Sequence, residues 1–166
     1  MKKIASFTVD HDKLNVGAYI SRIDGNITTF DLRFIKPNTP PFLDPLAMHT
    51  IEHLFATYAR NSEFSDNVIY FGPMGCMTGF YFLLRDLELD VALNLIKDIV
   101  RKCRDHEGEI PGNSRVECGN YLAHNEKEAH KALTKYYDDI KDWTVEKLHY
   151  DYNGTTQEKK RPPEKI

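Results

Sequence analysis

The chain has 166 residues, with 22 Lys and Arg against 25 Asp and Glu and a formal net charge of -3. That length suits one domain able to enclose a core and a pocket, and an acidic balance without a basic stripe argues against nucleic acid as a partner. No apolar run reaches membrane-spanning length, and Met1-Lys2-Lys3 leads into a polar-interrupted segment rather than a signal core. Three scattered cysteines make no disulfide framework, so a reducing cytoplasm is the expected compartment.

Residues 16–34 read as a hairpin turning at Asp24-Gly25-Asn26, with Ile23, Ile27, Phe30 and Leu32 on its arms. Within it Arg33 alternates with Leu32 and Phe34 and so faces away from the apolar side. There it either meets solvent or clamps a carboxylate. Asp44-Pro45 supplies a cap and a first-turn proline for a helix running to about Arg60. Residues 68–70 and 78–84 suggest strands, and Leu89 to Arg104 is an amphipathic helix whose apolar stripe includes Cys103, a buried small hydrophobe by this reading. Asn125 with Glu128 three later resembles a capping box for a helix reaching about Ile140. Residues 1–150 thus form one α+β domain, an antiparallel sheet with helices mainly on one face. Residues 151–166, polar, charged and carrying Pro162-Pro163, read as a loose tail.

The chemistry concentrates in His49-Thr50-Ile51-Glu52-His53. Residues three and four apart share a helical face, so His49, Glu52 and His53 project together. Two imidazoles make a two-armed claw for a divalent metal, and the neighbouring carboxylate can move protons there. The order H-x-x-E-H is the inverse of the commoner zinc-helix order. A catalytic metal usually takes three protein ligands, and the thiols on offer are Cys76, Cys103 and Cys118. Cys76 lies in the glycine-punctuated loop Gly72-Pro73-Met74-Gly75-Cys76-Met77-Thr78-Gly79, where glycines suit a sharp turn or a close approach to a ligand or another strand. Cys118 ends an irregular segment just before a helix.

Several segments, in this order, carry a resemblance to the S-ribosylhomocysteine lyase (LuxS-type) family. They are Ser6-Phe7-Thr8-Val9-Asp10-His11, Phe30-Asp31-Leu32-Arg33-Phe34 with Pro37-Asn38, and His49-Thr50-Ile51-Glu52-His53-Leu54. Pro73-Met74-Gly75-Cys76, Thr78-Gly79-Phe80-Tyr81 and Cys118-Gly119 complete the set, which spans roughly residues 4 to 140. The resemblance implies that His49, His53 and Cys118 hold the metal, that Glu52 and Cys76 are the acid–base groups, and that Ser6, His11 and Arg33 help hold the substrate. It also implies ferrous iron as the working ion, with zinc a common occupant, and a homodimer with active sites at the subunit interface; the donor set itself suits zinc, iron(II) or cobalt(II). His124, six residues after Cys118 as a histidine is in the family, is a candidate supporting residue. One departure stands out: Tyr70 occupies the place where the family commonly carries an aspartate.

The residues make independent sense of that activity. The ribose carbon bearing sulfur has no neighbouring acidic proton, so the carbonyl must first migrate along the sugar by proton shifts. Sulfur then leaves by β-elimination, giving L-homocysteine and 4,5-dihydroxy-2,3-pentanedione, the precursor of autoinducer-2. A divalent metal can stabilise the enediolate charge of each shift, and protons moving on more than one carbon favour two acid–base groups. Two other readings compete: a metallopeptidase of the inverted-motif type, which gives Cys76 no role, and a non-catalytic metal module closed by four protein ligands.

Overall fold

The computed structural model describes residues 1–150; the segment 151–166, read above as a tail, lies outside the described residues. Gly25, at φ +60, takes the left-handed conformation that closes the first hairpin, β1 (Gly17–Asp24) against β2 (Ile27–Arg33). The chain continues through α1 (Pro45–Arg60), β3 (Val68–Pro73), β4 (Gly79–Arg85), α2 (Leu89–Arg104) and α3 (Glu126–Ile140). All strand pairs are antiparallel, in the order β1-β2-β4-β3.

Strand alternation sorts the side chains onto two faces. The row Ile20–Phe30–Phe82–Phe71 runs across all four strands, and every member is buried in the core. The three helices cover this face: Ile51, Leu54 and Phe55 come from α1, Leu95, Ile96 and Ile99 from α2, and Leu133 and Tyr136 from α3. Phe55 stacks on Phe71 at 3.9 Å and Phe34 on Tyr136 at 3.8 Å between ring centroids. The next row, Tyr19–Asp31–Tyr81–Gly72, points to the opposite face.

The expected antiparallel α+β domain is therefore the observed one, and the bounds of α2 agree with those read from the sequence. β3 differs: it continues to Pro73, beyond the expected 68–70. Because β3 is an edge strand, a proline there leaves no ladder partner unsatisfied. Gly79 is required by a neighbouring strand rather than by a ligand, since a Cβ there would run into the Leu32 carbonyl of β2.

Phe82 lies in the central phenylalanine row with no solvent exposure. Phe82→Ala is expected to cost about 3–5 kcal/mol, read as a lower urea midpoint at unchanged slope; a loss of well under 1 kcal/mol would contradict this core.

Candidate metal centre

Helix α1 starts where the sequence places it. Asp44 caps it, its carboxylate accepting the Leu46 N–H at 3.4 Å, and Pro45 occupies the first turn. Its core face carries Met48, Ile51 and Phe55, so His49, Glu52 and His53 fall on the neighbouring half-buried face. Between them Thr50 is buried against the start of α3. Its hydroxyl donates to the Leu46 carbonyl at 3.0 Å and accepts the Asn125 N–H at 3.0 Å. Asn125 caps α3, accepting the Glu128 N–H at 3.2 Å, while its own side-chain amide donates to Asp44 at 2.8 Å. The N-termini of α1 and α3 are thereby tied together.

That tie lays the connection between α2 and α3 over the α1 imidazoles. His49 Nδ1 lies 2.7 Å from the Ala123 carbonyl and His53 Nδ1 lies 2.8 Å from the Pro111 carbonyl. A carbonyl only accepts, so both rings carry their proton on Nδ1 and leave Nε2 with a free lone pair. Cys118 enters from the same connection, its Sγ 3.5 Å from His49 Nε2. His49, His53, Cys118 and His124 each offer one ligand atom, all within 4.8 Å of one another. This nitrogen and sulfur donor set fits a zinc-like or ferrous ion. Burial, then the proximity of His49 and His53, holds the His124 pKa below the ordinary histidine value, which favours the neutral ring a ligand must be. Glu52 lines the same cleft with His49, His53, Pro111 and Cys118.

Cys76 and Arg33 are brought together elsewhere. Arg33 forks onto Asp31, Nε and Nη2 donating at 3.1 and 2.7 Å, and both side chains are buried. Tyr150 donates a further bond to Asp31 at 2.8 Å. Burial alone would lower the Arg33 pKa, but the Asp31 carboxylate outweighs it and the guanidinium sits above its ordinary value. Its Nη1 donates to the Thr78 hydroxyl at 2.6 Å and lies 4.0 Å from Cys76 Sγ, itself 3.0 Å from that hydroxyl. Arg33 therefore neither meets solvent nor presents a free fork: its clamp closes on an internal carboxylate. Asp31 lies two residues from Arg33 in β2, on the same face of the strand, and Thr78 lies two residues from Cys76 in the turn that leads into β4. Ser6 sits in the short 3₁₀ turn Ala5–Phe7, and His11 bonds the nearby Val9 carbonyl at 2.9 Å. Neither they nor Cys76 line the cleft that holds Glu52. Tyr70 is half exposed.

Comparison with known proteins gives this geometry a context. The family model of S-ribosylhomocysteinase (LuxS) matches residues 4–147. The chain belongs to the S-ribosylhomocysteine lyase family. Among its relatives, the S-ribosylhomocysteine lyase of Desulfotalea psychrophila is 47% identical over 153 residues, covering 89% of this chain and 96% of that protein. Those of Phocaeicola vulgatus and Porphyromonas gingivalis are 44% and 45% identical over 157 residues, each covering 90% of this chain and 98% and 99% of theirs. Among the described residues no helix is long and apolar enough to cross a membrane.

Two outcomes check this description of the lyase-family chain. Cys76 is exposed, whereas Cys103 is buried in α2, and that burial pushes its thiol pKa far up. Iodoacetamide should modify Cys76 in the folded protein and Cys103 only after denaturation, as read by peptide mass spectrometry. Truncating one partner of a buried ion pair leaves the other charge stranded, so Arg33→Ala should lose about 3–5 kcal/mol in urea unfolding. Unchanged stability would show that Asp31 does not depend on the guanidinium.

Proposed function

We propose that this chain cleaves S-ribosylhomocysteine to L-homocysteine and 4,5-dihydroxy-2,3-pentanedione. The observation that carries the reading is the grouping of the His49, His53, Cys118 and His124 ligand atoms, with Glu52 lining the same cleft as His49, His53 and Cys118. His49, His53 and Cys118 hold a divalent ion, which when bound supplies Lewis-acid stabilisation of negative charge on the sugar oxygens. Iron(II) is the assignment suggested by the family, and zinc or cobalt(II) suit the same donors. Glu52 and Cys76 carry the protons: each carbonyl shift removes one from a sugar carbon and returns one to its neighbour, and elimination removes one from the carbon next to that bearing sulfur. Ser6, His11 and Arg33 serve the substrate from the other part of the site, Arg33 as a fixed cation beside Cys76 rather than as a carboxylate clamp. A metallopeptidase would give the Arg33–Thr78–Cys76 group no work, and the family membership favours neither that reading nor a storage module. A thiolate ligand and a reactive Cys76 suit the reducing cytoplasm.

The site is completed by a second copy of the chain. Within one chain Cys76 stands apart from the cleft of Glu52, while Val116 and Leu122 on either side of Cys118, and Tyr70 on the strand preceding Cys76, are exposed apolar or aromatic surface. We assign Cys76 and Arg33 of one subunit to the metal cleft of the other.

Glu52→Gln and Cys76→Ala should each keep the metal, by elemental analysis after anaerobic purification, and lose homocysteine release. Unfolding and refolding the two variants together at equal ratio should restore about a quarter of wild-type activity, because half the dimers are mixed and each mixed dimer has one intact site of two. No recovery would place both groups in one subunit and sink the shared-site reading. Homocysteine release at wild-type rate by either variant alone would sink the mechanism.

A further inference from the structure

Tyr150 is the member of the Arg33 cluster that the reaction above leaves without work. It lies just beyond the residues 4–147 matched by the family model, yet its hydroxyl donates to the buried carboxylate of Asp31 at 2.8 Å. Burial, then the Asp31 carboxylate beside it, pushes its pKa well above the ordinary tyrosine value, so the hydroxyl keeps the proton it donates. Asp31 accepts that bond on Oδ2, the oxygen that also takes Arg33 Nη2 at 2.7 Å, while Oδ1 takes Nε at 3.1 Å. The carboxylate that orients the guanidinium is thus itself held by Tyr150.

The segment that follows α3 enforces this placement. Trp143 packs against Gly17, where a Cβ would meet its ring, and its indole N–H donates to the Ala18 carbonyl at 2.8 Å. Lys97 of α2 donates to the Trp143 carbonyl at 2.6 Å, and Leu148 is buried in the core. Tyr19, edge-on to Trp143 at 5.7 Å, stacks on Tyr150 at 5.0 Å between ring centroids. Beyond Asp31 the bonds run on in one direction. A guanidinium nitrogen only donates, so the Thr78 hydroxyl accepts from Arg33 Nη1 at 2.6 Å and keeps its own proton for the Cys76 sulfur, 3.0 Å away. The phenol of Tyr150 is one end of this chain of bonds, and the thiol of Cys76 is the other.

We propose that Tyr150 is a positioning residue of the reaction: its hydroxyl fixes the Asp31–Arg33 fork and, through Thr78, the orientation of the Cys76 sulfur. It acts through these groups rather than on the substrate, and no bond to it is made or broken in turnover. The inference rests on the reading of Cys76 as an acid–base group and adds the residue that aims it. Proton transfer depends steeply on placement, so a Cys76 released from this chain reacts more slowly even in a folded protein. A tyrosine that only sealed the buried ion pair from water would change stability and leave the turnover of the folded protein intact.

The test uses the full-length, metal-loaded protein and Tyr150→Phe, which keeps the ring for its stack on Tyr19 and removes only the hydroxyl. This variant should release homocysteine with kcat lower by about tenfold and KM within about twofold, at unchanged metal content. Iodoacetamide should also modify its Cys76 more slowly, a readout that needs no turnover. Thr78→Val cuts the chain between Arg33 and the sulfur, so adding Tyr150→Phe to it should lower kcat by less than about twofold more. Wild-type kcat or unchanged Cys76 alkylation in Tyr150→Phe, or effects of the two substitutions that simply multiply, overturns the inference and leaves the lyase reading intact. A Tyr150→Phe chain that does not fold assigns the hydroxyl to stability and overturns it too. A wild type that releases no homocysteine overturns the lyase reading itself.

Discussion

The hydroxyl of Thr50 holds the arrangement together. It is buried in the first half of α1, yet it accepts the backbone N–H that opens α3, 75 residues further along the chain. Because its own proton is spent within α1, the direction of every other bond it makes is decided. Around that fixed point Asp44 and Asn125, the caps of the two helices, bond to one another. Helix caps ordinarily satisfy orphan N–H groups at a helix start. Here they also lock two helix starts together, so the residues just before α3 arrive above the imidazoles of α1. The Ala123 carbonyl, His124 and, through the same connection, Pro111 and Cys118 take their places from this lock. Metal sites need ligands oriented as well as present, and here the orientation comes largely from backbone carbonyls.

The opposite side of the sheet solves a different problem. Asp31 and Arg33 are charged side chains almost without solvent contact, an expensive arrangement that needs complete pairing. The fold supplies it through the two-bond fork, the Tyr150 hydroxyl and the Thr78 hydroxyl. In the strand register Arg33 sits between Gly17 and Gly79, where a Cβ would run into the Trp143 ring and the Leu32 carbonyl respectively. The cation is thus held in place before any substrate arrives, beside the thiol of Cys76.

Much of this was legible from the residues. The helices were marked by their own punctuation, Asp44-Pro45 for α1 and Asn125 with Glu128 for α3, and the strands by alternation. The metal face followed from the spacing of His49, Glu52 and His53, which depends on helix geometry alone. Less local properties were not legible. The fate of Arg33 turns on Asp31 in its own strand, Thr78 across the sheet and Tyr150 over a hundred residues away. Alternation placed it on the outer face but could not say what covered it. The proton positions on the imidazoles were hidden for a similar reason, since their acceptors are the carbonyls of Pro111 and Ala123, and a carbonyl leaves no mark in a sequence. His124 is marked in the sequence only by its spacing from Cys118, while its ring orientation depends on the hydroxyl of Thr50.

The two halves of the chemistry also have opposite electrostatic needs, and this bears on why one chain keeps them apart. Neutral imidazoles suit a partly desolvated cleft that will take up a divalent cation. Cys76 is served by a permanent guanidinium charge. Without Asp31, a guanidinium in the metal cleft would oppose entry of the metal, because two nearby positive centres in a poorly solvated space destabilise each other. Distributing them over two faces lets each cluster satisfy itself within its own fold: the imidazoles against carbonyls, the guanidinium against Asp31. The pairing of two chains proposed above would bring both clusters to one substrate. Under the proposed shared site the metal would meet the negative charge that develops on the sugar oxygens, while Arg33, already neutralised by Asp31, would act on Cys76 through its fixed position rather than through a net positive field.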